Sequence, residues 1–180
     1  MTKRAVLLDR DGTLNARPRE HEYITSAEDF AWLPGAREAV ARLAWGGFSL
    51  AVVSNQRGVA RGLVSTRTLR EVELRIQRDL RPLGCSIDVF RYCVHETADG
   101  CDCRKPKPGL LIEAADVLNV DLRRCWMVGD AETDVLAGEA AACRTALIGR
   151  VAPGVRADLT APSLQEATPL ILAAASTTPA

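Results

Sequence analysis

Short apolar runs recur along this chain, and three of them stop abruptly at polar residues. Ala5-Val6-Leu7-Leu8 ends at Asp9, Leu50-Ala51-Val52-Val53 at Ser54-Asn55, and Cys125-Trp126-Met127-Val128 at Gly129-Asp130. Residues 87–92, just before Cys93, and 144–148 make two more. Runs this short, without polar alternation, are the pattern of strands buried on both faces. Between them the apolar period changes to three and four. Ala36, Ala39, Val40 and Leu43 share one face between Pro34-Gly35 and Gly46-Gly47. Leu69, Val72, Ile76, Leu80 and Leu83 share another, and Thr68 with Glu71 resembles its capping box. Further helices are expected over 110–118, 133–141 and 164–174. Alternating strands and helices predict an α/β fold, a Rossmann-like three-layer sandwich around a mostly parallel sheet.

A chain of 180 residues is long enough for one domain that buries roughly 70% of its unfolded surface without disulfides. Residues 1–175 are expected to form that single domain, with 176–180 a loose tail. Lys+Arg and Asp+Glu balance at 23 each. Zero net charge and 4% aromatic residues offer no electrostatic track or stacking platform for nucleic acid. After the basic Met1-Thr2-Lys3-Arg4, Asp9 interrupts an apolar stretch too short for a signal peptide or membrane span. The expectation is a cytoplasmic monomer with no nucleic-acid or membrane partner.

The polar residues that stop the runs gather at strand carboxyl ends, where open α/β sheets bind ligands. Asp9 ends its strand and can act as a nucleophile on phosphorus. Asp11, two residues on in a turn eased by Gly12, can serve as general acid and then base. Repulsion between the two carboxylates is expected to raise the pKa of Asp11. An anionic nucleophile meeting a phosphate needs positive charge, which suits Mg²⁺ on the side chains of Asp9 and Asp130 and the backbone carbonyl of Asp11. Asp134, one helical turn beyond Asp130, is expected to support that site. Ser54 and the amides after it can donate to phosphoryl oxygens, and Lys105 can supply a point charge. Each motif alone is a common turn; their order along the chain and their placement at strand ends point to phosphoryl transfer, with a small phosphorylated metabolite as the expected partner.

Asp9-Arg10-Asp11-Gly12-Thr13, Ser54-Asn55-Gln56, Arg104-Lys105-Pro106 and Gly129-Asp130-x-x-x-Asp134 together resemble the four motifs of the haloacid dehalogenase (HAD) superfamily. The segments between these motifs leave no room for a cap domain. The mouth is then expected to be lined by the segments around 17–23 and 57–61 and by a loop rich in cysteine.

In that loop, Cys93-x-His95 and Cys101-x-Cys103 offer one nitrogen and three sulfurs, a set suited to tetrahedral Zn²⁺ in a closed, structural site. Such a site would order the loop and aim the adjoining Arg104 and Lys105. Cys85, Cys125 and Cys143 read instead as small core residues, and His21 as a surface residue. The capless, zinc-bearing pattern is similar to the heptose 1,7-bisphosphate 7-phosphatases and the histidinol-phosphate phosphatases. Tyr23-Ile24 and Ser54-Asn55-Gln56-x-Gly58-Val59-Ala60-Arg61-Gly62 resemble the former, and the five residues between His95 and Cys101 the latter. The resemblance implies an aspartyl-phosphate mechanism, with Arg104 recognising substrate and Asn55, Gln56 and Arg57 beside it. Ala131 departs from it, since the heptose enzymes usually carry lysine directly after the fourth-motif aspartate. A polynucleotide 3′-phosphatase and an inactive zinc-stabilised binding module fit the residues less well.

Overall fold

The computed structural model describes residues 3–19, 22–149 and 154–176. His21 and residues 177–180 lie outside them, while Ser176, expected in the tail, is the last residue of a helix. Six strands form one sheet: β1 (Ala5–Leu8), β2 (Ser49–Asn55), β3 (Val89–Cys93), β4 (Trp126–Gly129), β5 (Arg144–Ile148) and β6 (Leu159–Ala161). Their spatial order is β3-β2-β1-β4-β5-β6, and every neighbouring pair is parallel. The five apolar runs are all strands, displaced by at most a residue or two. The sixth strand left no signal because Leu159-Thr160-Ala161 is too short to make a run. Asp158 secures its approach, accepting hydrogen bonds from Thr145 N at 2.7 Å and Thr145 Oγ1 at 3.1 Å.

Side chains alternate across the sheet because successive residues of a strand point to opposite faces. Val6, Leu8, Leu50, Val52, Trp126 and Val128 pack on one side against α1 (Ala36–Trp45), α2 (Thr66–Leu80) and α5 (Leu164–Ser176). Ala5, Leu7, Ala51, Val53 and Met127 pack on the other against α3 (Gly109–Leu118) and α4 (Glu132–Ala140). Both faces are dry, so the strands read as unbroken apolar runs. Burying each Leu or Val contributes about 1.5–3 kcal/mol. Cys125 and Cys143 are buried in the second core as expected; Cys85 is only half-buried at the edge of the first.

The chain winds outward from β1 to β2 and β3, returns to β4, and winds the other way to β5 and β6. The reversal between β1 and β4 opens a crevice at the strand carboxyl ends. Among the described residues, nothing but loops and one short 3₁₀ turn, Thr97–Asp99, intervenes between β1 and α1 or between β3 and α3. No cap covers the crevice.

The start of α2 differs from the expected capping box. Ser65 is the N-cap, in an extended conformation, and its Oγ accepts from Thr68 N at 2.9 Å. Glu71 lies inside the helix and pairs with Arg67 at 2.8 Å. Only a residue with non-helical backbone can turn its hydroxyl onto the first free amides, and here that residue is Ser65. Ser65→Ala should therefore lower stability by about 1 kcal/mol. Thr68→Ala should cost less, and urea unfolding midpoints at constant m-value compare the two.

Candidate active site

Asp9 extends the sheet one residue past β1, its amide donating to Val128 O at 2.9 Å. This pins the residue at the β1–β4 seam. The chain then turns tightly, with the amides of Thr13, Leu14 and Asn15 all donating to Arg10 O. Gly12 makes the turn possible at φ +97°, a left-handed conformation that disfavours a side chain. A Cβ there would lie 1.9 Å from Asp130 Oδ2, so this glycine also clears space for the fourth motif.

Asp11 is held by four hydrogen bonds. Arg10 Nε and Nη2 each donate at 3.0 Å, Asn15 Nδ2 at 3.0 Å and Gln56 Nε2 at 2.8 Å. Burial pushes its pKa up, but Arg10, Gln56 and Asn15 more than offset this and hold the carboxyl below its ordinary value. The raised pKa expected on Asp11 falls instead on Asp9, where burial dominates, Asp134 and Asp11 add repulsion, and Lys105 only partly compensates.

Lys105 is buried, and its Nζ meets Asp9 Oδ1 at 2.7 Å, Asp134 Oδ1 at 2.6 Å and Val53 O at 2.8 Å. Burial would discharge this amine, yet the two carboxylates hold its pKa above the ordinary value. Asn55 positions the lysine, since its side chain donates to Lys105 O at 3.0 Å and accepts from Lys105 N at 3.1 Å. Asp134 also accepts from Ala131 N at 3.1 Å, which ties the start of α4 to the site. Gly129 has no side chain because a Cβ would lie 2.1 Å from Asp134 Oδ2.

Arg17 forms a bidentate pair with Asp130, Nε to Oδ2 at 3.0 Å and Nη2 to Oδ1 at 2.5 Å. Burial nonetheless raises the pKa of Asp130. Four carboxylates, Asp9, Asp11, Asp130 and Asp134, are thus paired with three cations, Arg10, Arg17 and Lys105. The paired groups are one positive charge short. Oxygens of Asp9, Asp130 and Asp134 lie within 4.8 Å of one another, a spacing open to a hard cation. Asp134 is engaged by Lys105 and the Ala131 amide, Asp130 is held among the described residues by Arg17 alone, and Lys105 meets only Oδ1 of Asp9, so a cation bound by Asp9 and Asp130 would take the place of Arg17.

A cavity of about 590 Å³ opens above these groups. Ser54, Arg57, Arg104 and Tyr23 line it. Ser54 Oγ accepts from Gln56 Nε2 at 3.1 Å. Gln56 and Asn55, expected to contact substrate, line the cavity, and their side-chain amides also bond Asp11 and the Lys105 backbone. Arg10, Asn15 and Arg17 complete the site without having been singled out from the sequence. Arg10 and Asn15 could have been found from their nearness to Asp11; Arg17 reaches a residue 113 positions away and carried no local signal.

Beside the cavity, Cys93, His95, Cys101 and Cys103 converge. Sulfur–sulfur separations are 3.6 Å for Cys93–Cys101 and 3.5 Å for Cys101–Cys103. His95 Nδ1 lies 3.7 Å from Cys93 Sγ and 3.2 Å from Cys103 Sγ. A tetrahedron with ordinary Zn–S and Zn–N bonds has edges of about 3.5–3.8 Å; three of these four separations match it and the His95–Cys103 one is shorter. Arg104 Nη1 donates to His95 O at 3.3 Å, linking the cluster to the cavity wall.

A HAD-hydrolase-like family model matches residues 102–167. The D-glycero-beta-D-manno-heptose-1,7-bisphosphate 7-phosphatase of Pseudomonas aeruginosa is 36% identical over 156 residues, covering 87% of this chain and 86% of that one. The enzyme of the same name from Vibrio cholerae is 38% identical over 157 residues, 83% of each chain. This chain belongs to the HAD phosphatase family. Among solved structures, D,D-heptose 1,7-bisphosphate phosphatase from B. bronchiseptica, complexed with magnesium and phosphate, superposes with a TM-score of 0.83 at 31% identity. That match covers 96% of this chain and 99% of the other. The HAD fold accounts for the order of the four motifs around one crevice.

Removing the buried cation should leave two carboxylates without a counter-charge. Lys105→Met is expected to destabilise the protein by about 3–5 kcal/mol, read by denaturant unfolding at neutral pH. Gly12→Ala should push the Asp130 carboxylate aside and lower kcat by about a hundredfold in steady-state assays.

Proposed function

We propose that this HAD phosphatase hydrolyses the 7-phosphate of D-glycero-D-manno-heptose 1,7-bisphosphate, with Asp9 as nucleophile. The observation that carries the reading is the partition of charge at the seam. Asp11 and Asp134 are neutralised within the protein, whereas Asp9 keeps one oxygen, Oδ2, without a protein donor among the described residues and facing the cavity wall beside Asp130. The names and coverage of the relatives supply the substrate class.

Attack by Asp9 on phosphorus would form an aspartyl-phosphate and release the sugar hydroxyl. Asp11, fixed by Arg10, would protonate the leaving oxygen and then take a proton from the attacking water. A phosphate dianion arriving beside Asp11 disfavours its charged form, which raises the pKa that Arg10 holds down in the free enzyme. Ser54 would donate its hydroxyl to a phosphoryl oxygen, and Lys105 would hold Asp9 in line. Mg²⁺ on Asp9, Asp130 and the Asp11 carbonyl would supply the missing positive charge. Zn²⁺ on Cys93, His95, Cys101 and Cys103 would order the loop that carries Arg104.

Arg104 presents a planar, bidentate donor suited to the second phosphate of a bisphosphate. Arg19 and Arg57 also line the cavity, as does Glu22, and the two arginines supply cations there although Ala131 carries no charge after Asp130. The proposed setting is a cytoplasmic, monomeric enzyme of small-molecule metabolism. Among the described residues, no helix is long and apolar enough to cross a membrane.

Comparison of kcat/KM for heptose 1,7-bisphosphate and histidinol phosphate tests the assignment, and a preference for the latter would overturn it. Asp9→Asn should abolish turnover, chelation of divalent metal should do so reversibly, and Cys103→Ser should lose bound zinc by elemental analysis. Wild-type protein that released phosphate from neither ester in the presence of Mg²⁺ would sink the enzyme reading.

A further inference from the structure

Three loops from separate parts of the chain form the rim of the cavity, and one side chain joins them. Arg61, in the loop after β2, donates through Nε to Glu96 Oε1 in the cysteine loop and through Nη1 to Tyr23 Oη at 3.3 Å in the loop after β1. Its partners are themselves fixed. Glu96 N donates to Asp99 Oδ2 at 2.8 Å as part of a reciprocal cap on the Thr97–Asp99 turn. The Tyr23 ring lies over Gly58, where a Cβ would come within 2.7 Å of Tyr23 Cδ1 and 2.9 Å of Val64 Cγ2. Leu63 N and Val64 N both donate to Gly58 O, folding the loop that carries Arg61 back on itself.

Tyr23, Arg57, Thr97 and Arg104 line the cavity, one or more from each loop, and Arg61 does not. Arg61 is exposed, and its contacts run to the loops rather than into the cavity. We propose that Arg61 is a positioning residue: with Glu96 and Tyr23 it clasps the three loops that line the cavity into one wall, so that its loss weakens substrate binding and leaves the chemistry intact. A capless fold has no second domain over the crevice, so the rim must be made rigid from within. The inference deepens the phosphatase reading and rests on it.

An ester whose leaving group is small and planar, p-nitrophenyl phosphate, needs the phosphate subsite alone and separates rim from chemistry. Arg61→Ala should raise KM for heptose 1,7-bisphosphate by about three- to tenfold, the loss of one ion pair and one hydrogen bond, with kcat within about twofold. Its kcat/KM on p-nitrophenyl phosphate and its zinc content should match wild type. Amide hydrogen exchange should quicken across 56–64 and 95–104. The reversed pair, Arg61→Glu with Glu96→Arg, should restore slow exchange and most of the KM. Equal losses on both substrates would overturn the proposal, as would unchanged exchange or a reversed pair no better than Arg61→Ala. If wild-type protein hydrolysed p-nitrophenyl phosphate but not the bisphosphate, the substrate assignment would fall while the exchange measurements still decided the clasp.

Discussion

The arrangement of this protein depends on one buried ammonium group. Lys105 Nζ lies between Asp9 and Asp134 and donates to Val53 O, so a single charge gathers the end of β1, the end of β2, the loop after β3 and the start of α4. A lysine so fully withdrawn from water is tolerable only with opposite charges in contact. Its partners are buried too, and loss of the lysine would strand both of them. This requirement keeps four segments distant in sequence at one point.

Around that contact, the remaining charges are divided so that like groups can coexist. Arg10 occupies Asp11 and Arg17 occupies Asp130, each through two nitrogens. Asp9 shares its only cation with Asp134 and has its pKa raised by burial. The seam therefore holds an under-compensated, buried carboxylate that lines the cavity. In a low-dielectric crevice, such fixed charges act far more strongly than they would in water.

The cysteine loop is the second organising element. Its backbone has no regular structure beyond one 3₁₀ turn, yet it carries Arg104 and leads directly into Lys105. Three thiols and an imidazole converge there, a set that could hold such a loop through a bound metal. The same loop meets Arg61 through Glu96, so it joins the rim at one end to the buried Lys105–Asp9 contact at the other.

Much of this was legible in one dimension. Strands buried on both faces must be apolar at every position, and the residues that stop them must be polar if they meet water or ligand; both rules leave marks in consecutive residues. Hence the α/β alternation, the strand ends at Asp9, Ser54 and Gly129-Asp130, and the Cys/His spacing could all be read directly. What the chain order could not reveal were pairings set by distance in space. Only the folded structure assigns Gln56 to Asp11, Asn55 to the Lys105 backbone and Arg17 to Asp130, and only it moves the raised pKa from Asp11 to Asp9. A pKa depends on every charge within several ångströms and on burial, neither of which is a property of neighbours in sequence. Residue types and their order along the chain determined the chemistry this protein could attempt; tertiary packing decided which carboxylate is left free to perform it.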